Sequence, residues 1–334
     1  MEDLYFEQNY GRLYEQIEDG KCEVYEYHSP TGSIRHIFIK RKICTPVDGE
    51  FFYDITTPYG YGGPLITSCV DGKEHILAKE FEESFGAYCG ENQIISEFVR
   101  FHPLFFNAQH FSNCYHLSFR SKTTGTTIAS YVDPVQEEFS KSTRKIIRKA
   151  LNAGVTYRVT PNPPCLKEFQ KIYLKTMHRI GASDVYFFDD EYFSKCLHYF
   201  GEKIILVEAL YNEEIIGMEL HFHYNNRIHT HLSGSLEEYH YLSPVYIMTY
   251  AIAEWGKANG VELIHAGGGL TSEPDDKLFL FKKKFGKNTE FHYFTGTKIW
   301  NENIYSNLCE EMEVKTNSDF FPSYRTTIQK TAKV

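Results

Sequence analysis

The chain has 334 residues, 42% of them hydrophobic and 16% aromatic, enough apolar material for one large or two ordinary cores and too much for a disordered polymer. A net charge of −9 excludes a protein that embraces nucleic acid with its whole surface, since such affinity comes from neutralised phosphates; anion binding is left to local basic patches, and no DNA partner is expected. No basic region followed by an apolar run opens the chain, no segment approaches the roughly 20 apolar residues that span a bilayer, and the eight cysteines form no C-x-x-C pair. A reduced, cytoplasmic monomer without an integral membrane segment is expected.

In chain order, Ile34 to Ile43 and Phe51 to Thr57 are rich in β-branched and aromatic residues and predict strands, the second ending in the glycine-rich loop Tyr59-Gly60-Tyr61-Gly62-Gly63-Pro64. A helix is predicted over Ala78 to Tyr88, with strands near Ile94 to Phe101, Tyr115 to Phe119 and Thr126 to Val132. Asp133-Pro134 breaks this pattern, and a basic helix from about Ser140 to Ala153 follows, closed by Gly154. Next come a strand near Thr156 to Val159, a helix from Cys165 to Ile180, and another from Asp189 to Phe200 with Asp189 as its N-cap.

Three strands then form a meander: Lys203 to Leu210, Ile215 to Tyr224 and Ile228 to Ser233. A helix (Pro244 to Asn259), a strand (Glu262 to Ala266), a helix (Asp276 to Phe285) and a strand (Glu290 to Thr297) complete the order, and a short helix over Ile304 to Met312 occupies the tail. A three-stranded meander followed by helix, strand, helix and strand is the core order of the N-acetyltransferase-like (GNAT) fold. The expected class is α/β (α+β), with two GNAT-like domains, each a mixed, mostly antiparallel sheet flanked by helices. The expected division is 1–137, joined by the tail 300–334, and 138–299.

The chemistry concentrates late. Gly267-Gly268-Gly269 follows a short strand, where ligands of open α/β sheets bind, and three glycines exceed what one turn needs. A dozen residues on, Lys282 lies between Phe281 and Phe285-Gly286, an aromatic pair that can fix the helix face while the lysine meets developing negative charge. The Tyr59 to Pro64 loop offers the phenols of Tyr59 and Tyr61 and the backbone of Gly62 to a polar ligand; a tyrosine-and-glycine turn closing a hairpin reads equally well. Lys141, Arg144, Lys145, Arg148 and Lys149 form one stripe at helical spacing, either a solvated face or a phosphate site, and Lys282, Lys283, Lys284 and Lys287 form a second basic cluster.

His221-x-His223 and His229-x-His231 flank the Asn225-Asn226 turn in the manner of metal ligands. With a two-residue turn, however, His221 opposes Thr230 and His223 opposes Ile228, so the two histidine pairs face opposite sides of the sheet and no metal site is expected. The run from Ser233 to Pro244 lacks the Q/R-x-x-G-x-G/A pattern of coenzyme A users and carries Glu237 and Glu238, which repel a pyrophosphate.

Taken together, Ser140 to Val155, the Ser233-Gly234-Ser235 turn with Pro244 opening a helix, the glycine triplet and Phe281-Lys282-x-x-Phe285-Gly286 resemble the FemA/FemB/FemX group of peptidoglycan bridge-forming aminoacyltransferases. The resemblance implies paired GNAT-like domains and transfer of an aminoacyl group from aminoacyl-tRNA to an amine of a peptidoglycan precursor, with no bound cofactor. It makes Lys282, with Phe281 beside it, the charge-stabilising residue; Tyr59, Tyr61, Gly62, Arg144, Arg148, Ser233, Gly267, Gly268 and Gly269 are the substrate-binding candidates of the sequence as a whole. Glu208, Glu219 and His265 have the chemistry of a general base. Acetyl-coenzyme A as donor, and a non-catalytic module that holds a nucleotide-linked glycan, are the alternatives.

Overall fold

The computed structural model describes residues 3–316 and 320–326. The chain divides into two compact units, one built from the residues before Ser121 together with those after His292, the other from Ser121–His292.

The first unit begins with helix α1 (Gln8–Leu13) and the hairpin β1 (Lys21–Ser29) and β2 (Gly32–Lys42), paired antiparallel from Lys21 opposite Lys40 to Ser29 opposite Gly32. Strands β3 (Tyr53–Thr56) and β4 (Leu65–Cys69) both pair β2. Helix α2 (Glu74–Glu91) follows, then β5 (Ile94–Arg100), parallel to β3, then the short α3 (Asn107–His110). Leu77, Phe81, Phe85 and Cys89 recur every fourth residue of α2, so they make one stripe that buries against Ile34, Phe38, Ile55 and Val99 of the sheet.

Two strands belong to both units along the chain, β6 (His116–Thr127) and β12 (Glu290–Ile299), and helix α10 (Glu302–Glu311) follows the second. In the first unit β12 pairs β5, with Thr295 opposite Arg100 and Ile299 opposite Ser96. The tail docks here: Tyr305, Leu308 and Tyr324 share a core with Ile43 and Ile95, while Asp54 accepts from Arg41 Nε at 2.7 Å, from the Tyr324 hydroxyl at 3.1 Å and from Arg325. Of the expected tail 300–334, residues 317–319 and 327–334 lie outside the described residues.

The second unit holds α4 (Pro134–Glu138), α5 (Lys141–Asn152), β7 (Thr156–Pro161), α6 (Lys167–Ile180), α7 (Asp190–Phe200), β8 (Ile204–Tyr211), β9 (Glu214–Tyr224), β10 (Arg227–Ser235), α8 (Pro244–Ala258), β11 (Leu263–Gly268) and α9 (Lys277–Lys283). Its strand order is β6-β11-β10-β9-β8-β7, antiparallel except for the parallel β10–β11 pair. The two expected caps are in place, Asp189 accepting from the Tyr192 amide and Gly154 taking φ +96° after α5, and Ser140 adds an N-cap by accepting from the Thr143 amide. Ile147 and Ala150 of α5 and Ile247, Met248, Ala251 and Ile252 of α8 close one core with Ile205, Val207 and Ile228.

The meander, helix, strand, helix and strand order is thus present, and each unit is a mixed, mostly antiparallel sheet flanked by helices. Two readings change. The strand expected at Tyr115 to Phe119 runs on unbroken as β6 to Thr127, and Ile128 to Val132, expected to be strand, lie outside it; Gly125 within β6 marks a close approach, since a β-carbon there would meet the Ile264 carbonyl oxygen at 2.2 Å. The division also falls inside β6 and β12, earlier than the Asp133-Pro134 break, since both strands run on past the point where the chain changes unit. Among the described residues no helix is long and apolar enough to cross a membrane.

Candidate active site

The site in the second unit is set by strands that part. β10 and β11 pair in register from Arg227 opposite Leu263 to His229 opposite His265; registered pairing ends there, although β10 runs on to Ser235 and β11 to Gly268. On its other edge β11 pairs β6 throughout, from Leu263 opposite Thr127 to Gly268 opposite Thr123, with an irregularity between His265 and Gly267, and Gly267 takes φ +75°, a conformation costly for any residue with a β-carbon.

Lys282 is brought to this place by α9. Its Nζ donates to the Gly268 carbonyl at 2.8 Å, which leaves two ammonium N–H groups for another acceptor. Burial of the half-exposed side chain's amine pushes its pKa down to about 8, against the opposing pull of the Asp276 and Glu219 carboxylates. The rest of the F-K-x-x-F-G motif seats the helix. Phe281 and Phe285 pack edge-on with centroids 5.4 Å apart, both meet Tyr246 of α8, and Phe285 meets Phe139 at 5.2 Å. At Gly286 a β-carbon would lie 1.7 Å from the Gly125 carbonyl oxygen, so only glycine lets α9 end against β6.

Asp276 fixes the loop between the triplet and α9. Its carboxylate accepts from the amides of Phe279 (2.8 Å), Leu270 (2.9 Å) and Thr271 (2.9 Å) and from the Thr271 hydroxyl (3.0 Å). These donors, the Phe279 amide foremost, hold its pKa down at about 2. Gly269 leaves room for that carboxylate, since a β-carbon there would sit 2.1 Å from Asp276 Oδ1. The triplet therefore divides its work: Gly267 bends the strand, Gly268 holds the lysine, and Gly269 admits Asp276.

The general-base candidates separate on geometry. Glu208 opposes Arg158 across β7 and β8 and receives its guanidinium from two nitrogens, which occupies both oxygens. His265 is buried and bonds the Thr123 hydroxyl at 2.9 Å. Glu219 is 4% exposed, opposes Ser233 in register, and contacts only His221, its Oε2 lying 3.4 Å from Nε2, among the described residues. His223, two residues along the same strand face, meets Trp255 of α8 at 5.5 Å, so Glu219 and His221 face α8 as well.

The histidine register is as expected. Thr230 opposes His221, and Ile228 opposes His223, while His229 meets the ring of His265 at 5.7 Å and His231 bonds the Tyr192 hydroxyl at 2.6 Å. Burial lowers the His231 pKa to about 3, which keeps that imidazole neutral.

Other candidates fall elsewhere. Arg144 donates to the backbone carbonyls of Gln136 and Phe139 and so ties α5 to α4, whereas Arg148 is exposed. Tyr59, Tyr61 and Gly62 belong to the first unit. There the Tyr59 carbonyl accepts from the Tyr10 hydroxyl, the Tyr61 ring packs on Tyr5, His102 and Tyr293, and the Gly62 carbonyl accepts from Asn107 Nδ2 at 2.8 Å. Sequence reasoning missed a groove in this unit, about 1160 Å³, lined by Arg41, Arg100, Thr56, Phe98, Tyr293 and Thr295 among others. Its lining comes from separate strands, and only the register of β3, β5 and β12 brings them to one sheet face.

Residues 137–276 match the family model described as an acetyltransferase (GNAT) domain. Of solved structures, FemX is 13% identical with a TM-score of 0.68 over 91% of this chain and 94% of that one. The C-terminal domain (DUF2156) of a putative lysylphosphatidylglycerol synthetase from Agrobacterium fabrum is 13% identical with a TM-score of 0.55, over 88% of both chains. L-PGS from Bacillus licheniformis is 12% identical with a TM-score of 0.50, over 86% of this chain and 90% of that one. No curated protein sequence matches. The chain therefore has a FemX-like fold, and its second unit is similar to a GNAT acetyltransferase domain.

Proposed function

We propose that this protein transfers an aminoacyl group from aminoacyl-tRNA to an amine of a cell-wall peptide precursor, in the cytoplasm and without a bound cofactor. The observation that carries this reading is Lys282, held by the Gly268 carbonyl where β10 and β11 part, with two N–H groups free to meet an oxyanion. In the reaction, the acceptor nitrogen attacks the ester carbonyl of the donor and a C–N bond forms. The carbonyl oxygen becomes an oxyanion, and the Lys282 ammonium stabilises it. Glu219 takes the proton from the attacking nitrogen. Collapse of the intermediate breaks the ester C–O bond, and the leaving ribose oxygen receives that proton. Glu219 is assigned as the base because, of the three candidates, it alone keeps no hydrogen-bond partner among the described residues.

The acetyltransferase match favours a second reading, an acetyl-coenzyme A donor. Against it, the segment before α8 is the turn Glu237–Leu242, which places Glu237 and Glu238 where a pyrophosphate would need cations. Parallel turnover assays of the full chain with aminoacyl-tRNA and acetyl-coenzyme A, on a peptide precursor with a free side-chain amine, separate the two. Product from aminoacyl-tRNA alone is expected. Product from acetyl-coenzyme A alone overturns the donor, and binding without product from either overturns the enzyme in favour of a binding module.

A further inference from the structure

The two basic clusters of the sequence are one surface in the second unit. The Ser140 amide donates to the Lys284 carbonyl at 2.8 Å, and the Lys287 amide donates to the Glu138 carbonyl at 2.9 Å, so the end of α9 lies against the start of α5. Lys284 and Lys287 are exposed there beside Lys141, and Lys145, Arg148 and Lys149 continue along the exposed face of α5 for about 12 Å at 1.5 Å per residue. None of these six makes an ion pair among the described residues; Glu290, the exposed acid nearest in sequence, is held by Lys122 at 2.7 Å and Lys283 at 3.5 Å, and Glu137 comes next. Of the other cations of the same unit, Lys122 meets Glu290 at 2.7 Å, Lys171 meets Glu168 at 3.0 Å and Lys195 meets Glu191 at 2.7 Å, while Lys167, Lys175, Lys257 and Lys277 are exposed but scattered over α6, α8 and the start of α9.

We propose that this joined face of α5 and α9 docks a phosphodiester chain, the RNA of the acyl donor. The inference rests on the tRNA reading above and adds where that RNA lies. In a chain of net charge −9, six cations without ion pairs gathered on one face mark where a polyanion is best received. An RNA is favoured over an anionic membrane because α5, which carries four of the six cations, turns its apolar residues inward: Ile147 and Ala150 are buried and Leu151 packs on the same core, so that helix has no exposed large apolar side chain to enter a lipid layer. Lys284 is two residues from Lys282, so RNA docked here ends close to the charge-holding ammonium.

The test is fluorescence anisotropy of labelled, deacylated bulk tRNA with the full chain over a salt series. With most of the six cations engaged, the logarithm of affinity falls with the logarithm of salt at a slope of about −4 to −5. K141E/K145E/R148E is expected to weaken binding at least tenfold at low salt, and K167E/K175E/K257E, an equal charge change scattered over the same unit, about twofold. Equal losses in the two triples, no binding by the wild type, or binding to phosphatidylglycerol vesicles without binding to tRNA would overturn the proposal. Lys282→Met keeps tRNA affinity if docking and chemistry are separate. Docking with no transfer from aminoacyl-tRNA would leave the surface standing and remove only the donor reading.

Discussion

The two units use the same device differently. In the first, the parallel strands β3 and β5 stay zipped: the Thr57 amide donates to the Phe98 carbonyl at 3.1 Å, the Arg100 amide to the Thr57 hydroxyl at 2.9 Å, and Gly62 bridges to Phe101 beyond them. In the second, the parallel strands β10 and β11 separate after three pairs. The buried acids differ in the same sense. Glu97 of the first unit gathers His36 at 2.6 Å, Tyr115 at 3.2 Å and Trp300 at 3.2 Å, while Glu219 of the second has one contact at 3.4 Å. A saturated buried carboxylate fixes a core; an undersaturated one beside a parted strand pair keeps room for a further hydrogen-bond partner.

The contrast breaks most sharply at Lys282. Lys282→Met is expected to lower the transfer rate by about 10² to 10³, the range seen when one oxyanion donor is lost, with the melting temperature unchanged; a rate within a few fold of wild type would remove the lysine from the chemistry. Gly286→Ala is expected to cost about 2–4 kcal/mol of stability by chemical denaturation, since its methyl has nowhere to go, and to lower the rate as α9 shifts. Glu97→Ala is the converse. It leaves the buried Tyr115 and Trp300 donors without their acceptor and costs about 2–3 kcal/mol, while the rate per folded molecule holds.

The pH dependence sharpens the same comparison. Lys282 has a lowered pKa of about 8, so its ammonium is present below that pH and is lost as pH rises through it; the transfer rate therefore falls above about pH 8 in a pH–rate profile. Lys282→Arg keeps its charge and should move that limb beyond the range of the assay. The smallest effect is expected from Asp276→Asn. The carboxylate's charge supports the ammonium, so its removal shifts the limb toward lower pH. Asp276 also stabilises the fold above its unfolded pKa, and this contribution is lost as pH falls toward 2.

Much of the second unit was legible because local signals agreed with its fold. Ser140 and Asp189 cap as their chemistry requires, the Asn225-Asn226 turn fixes the histidine register, and Lys282 sits in a motif whose aromatic spacing selects one helix face. What stayed hidden depends on distant partners. The gap expected between Phe119 and Thr126 closes only because Ile264 passes Gly125, and the triplet reads as a ligand loop until Asp276 is seen pressed against Gly269. Glu208 and Glu219 look alike in sequence, and only the Arg158 opposite one of them sets them apart. The groove of the first unit has no sequence signature at all, because its residues meet only through strand register.

The facing glycines at 125 and 286 have a consequence for how this protein can change. Each tolerates no side chain for a reason that lies in another segment: Gly286 because of the Gly125 carbonyl, and Gly125 because of the Ile264 carbonyl. Substitutions there are expected to be strongly epistatic, with no single compensating change nearby, since the obstacle in both cases is main chain and cannot be trimmed. A library that varies the F-K-x-x-F-G segment freely will lose variants at its last letter for want of space, independently of what they do to catalysis.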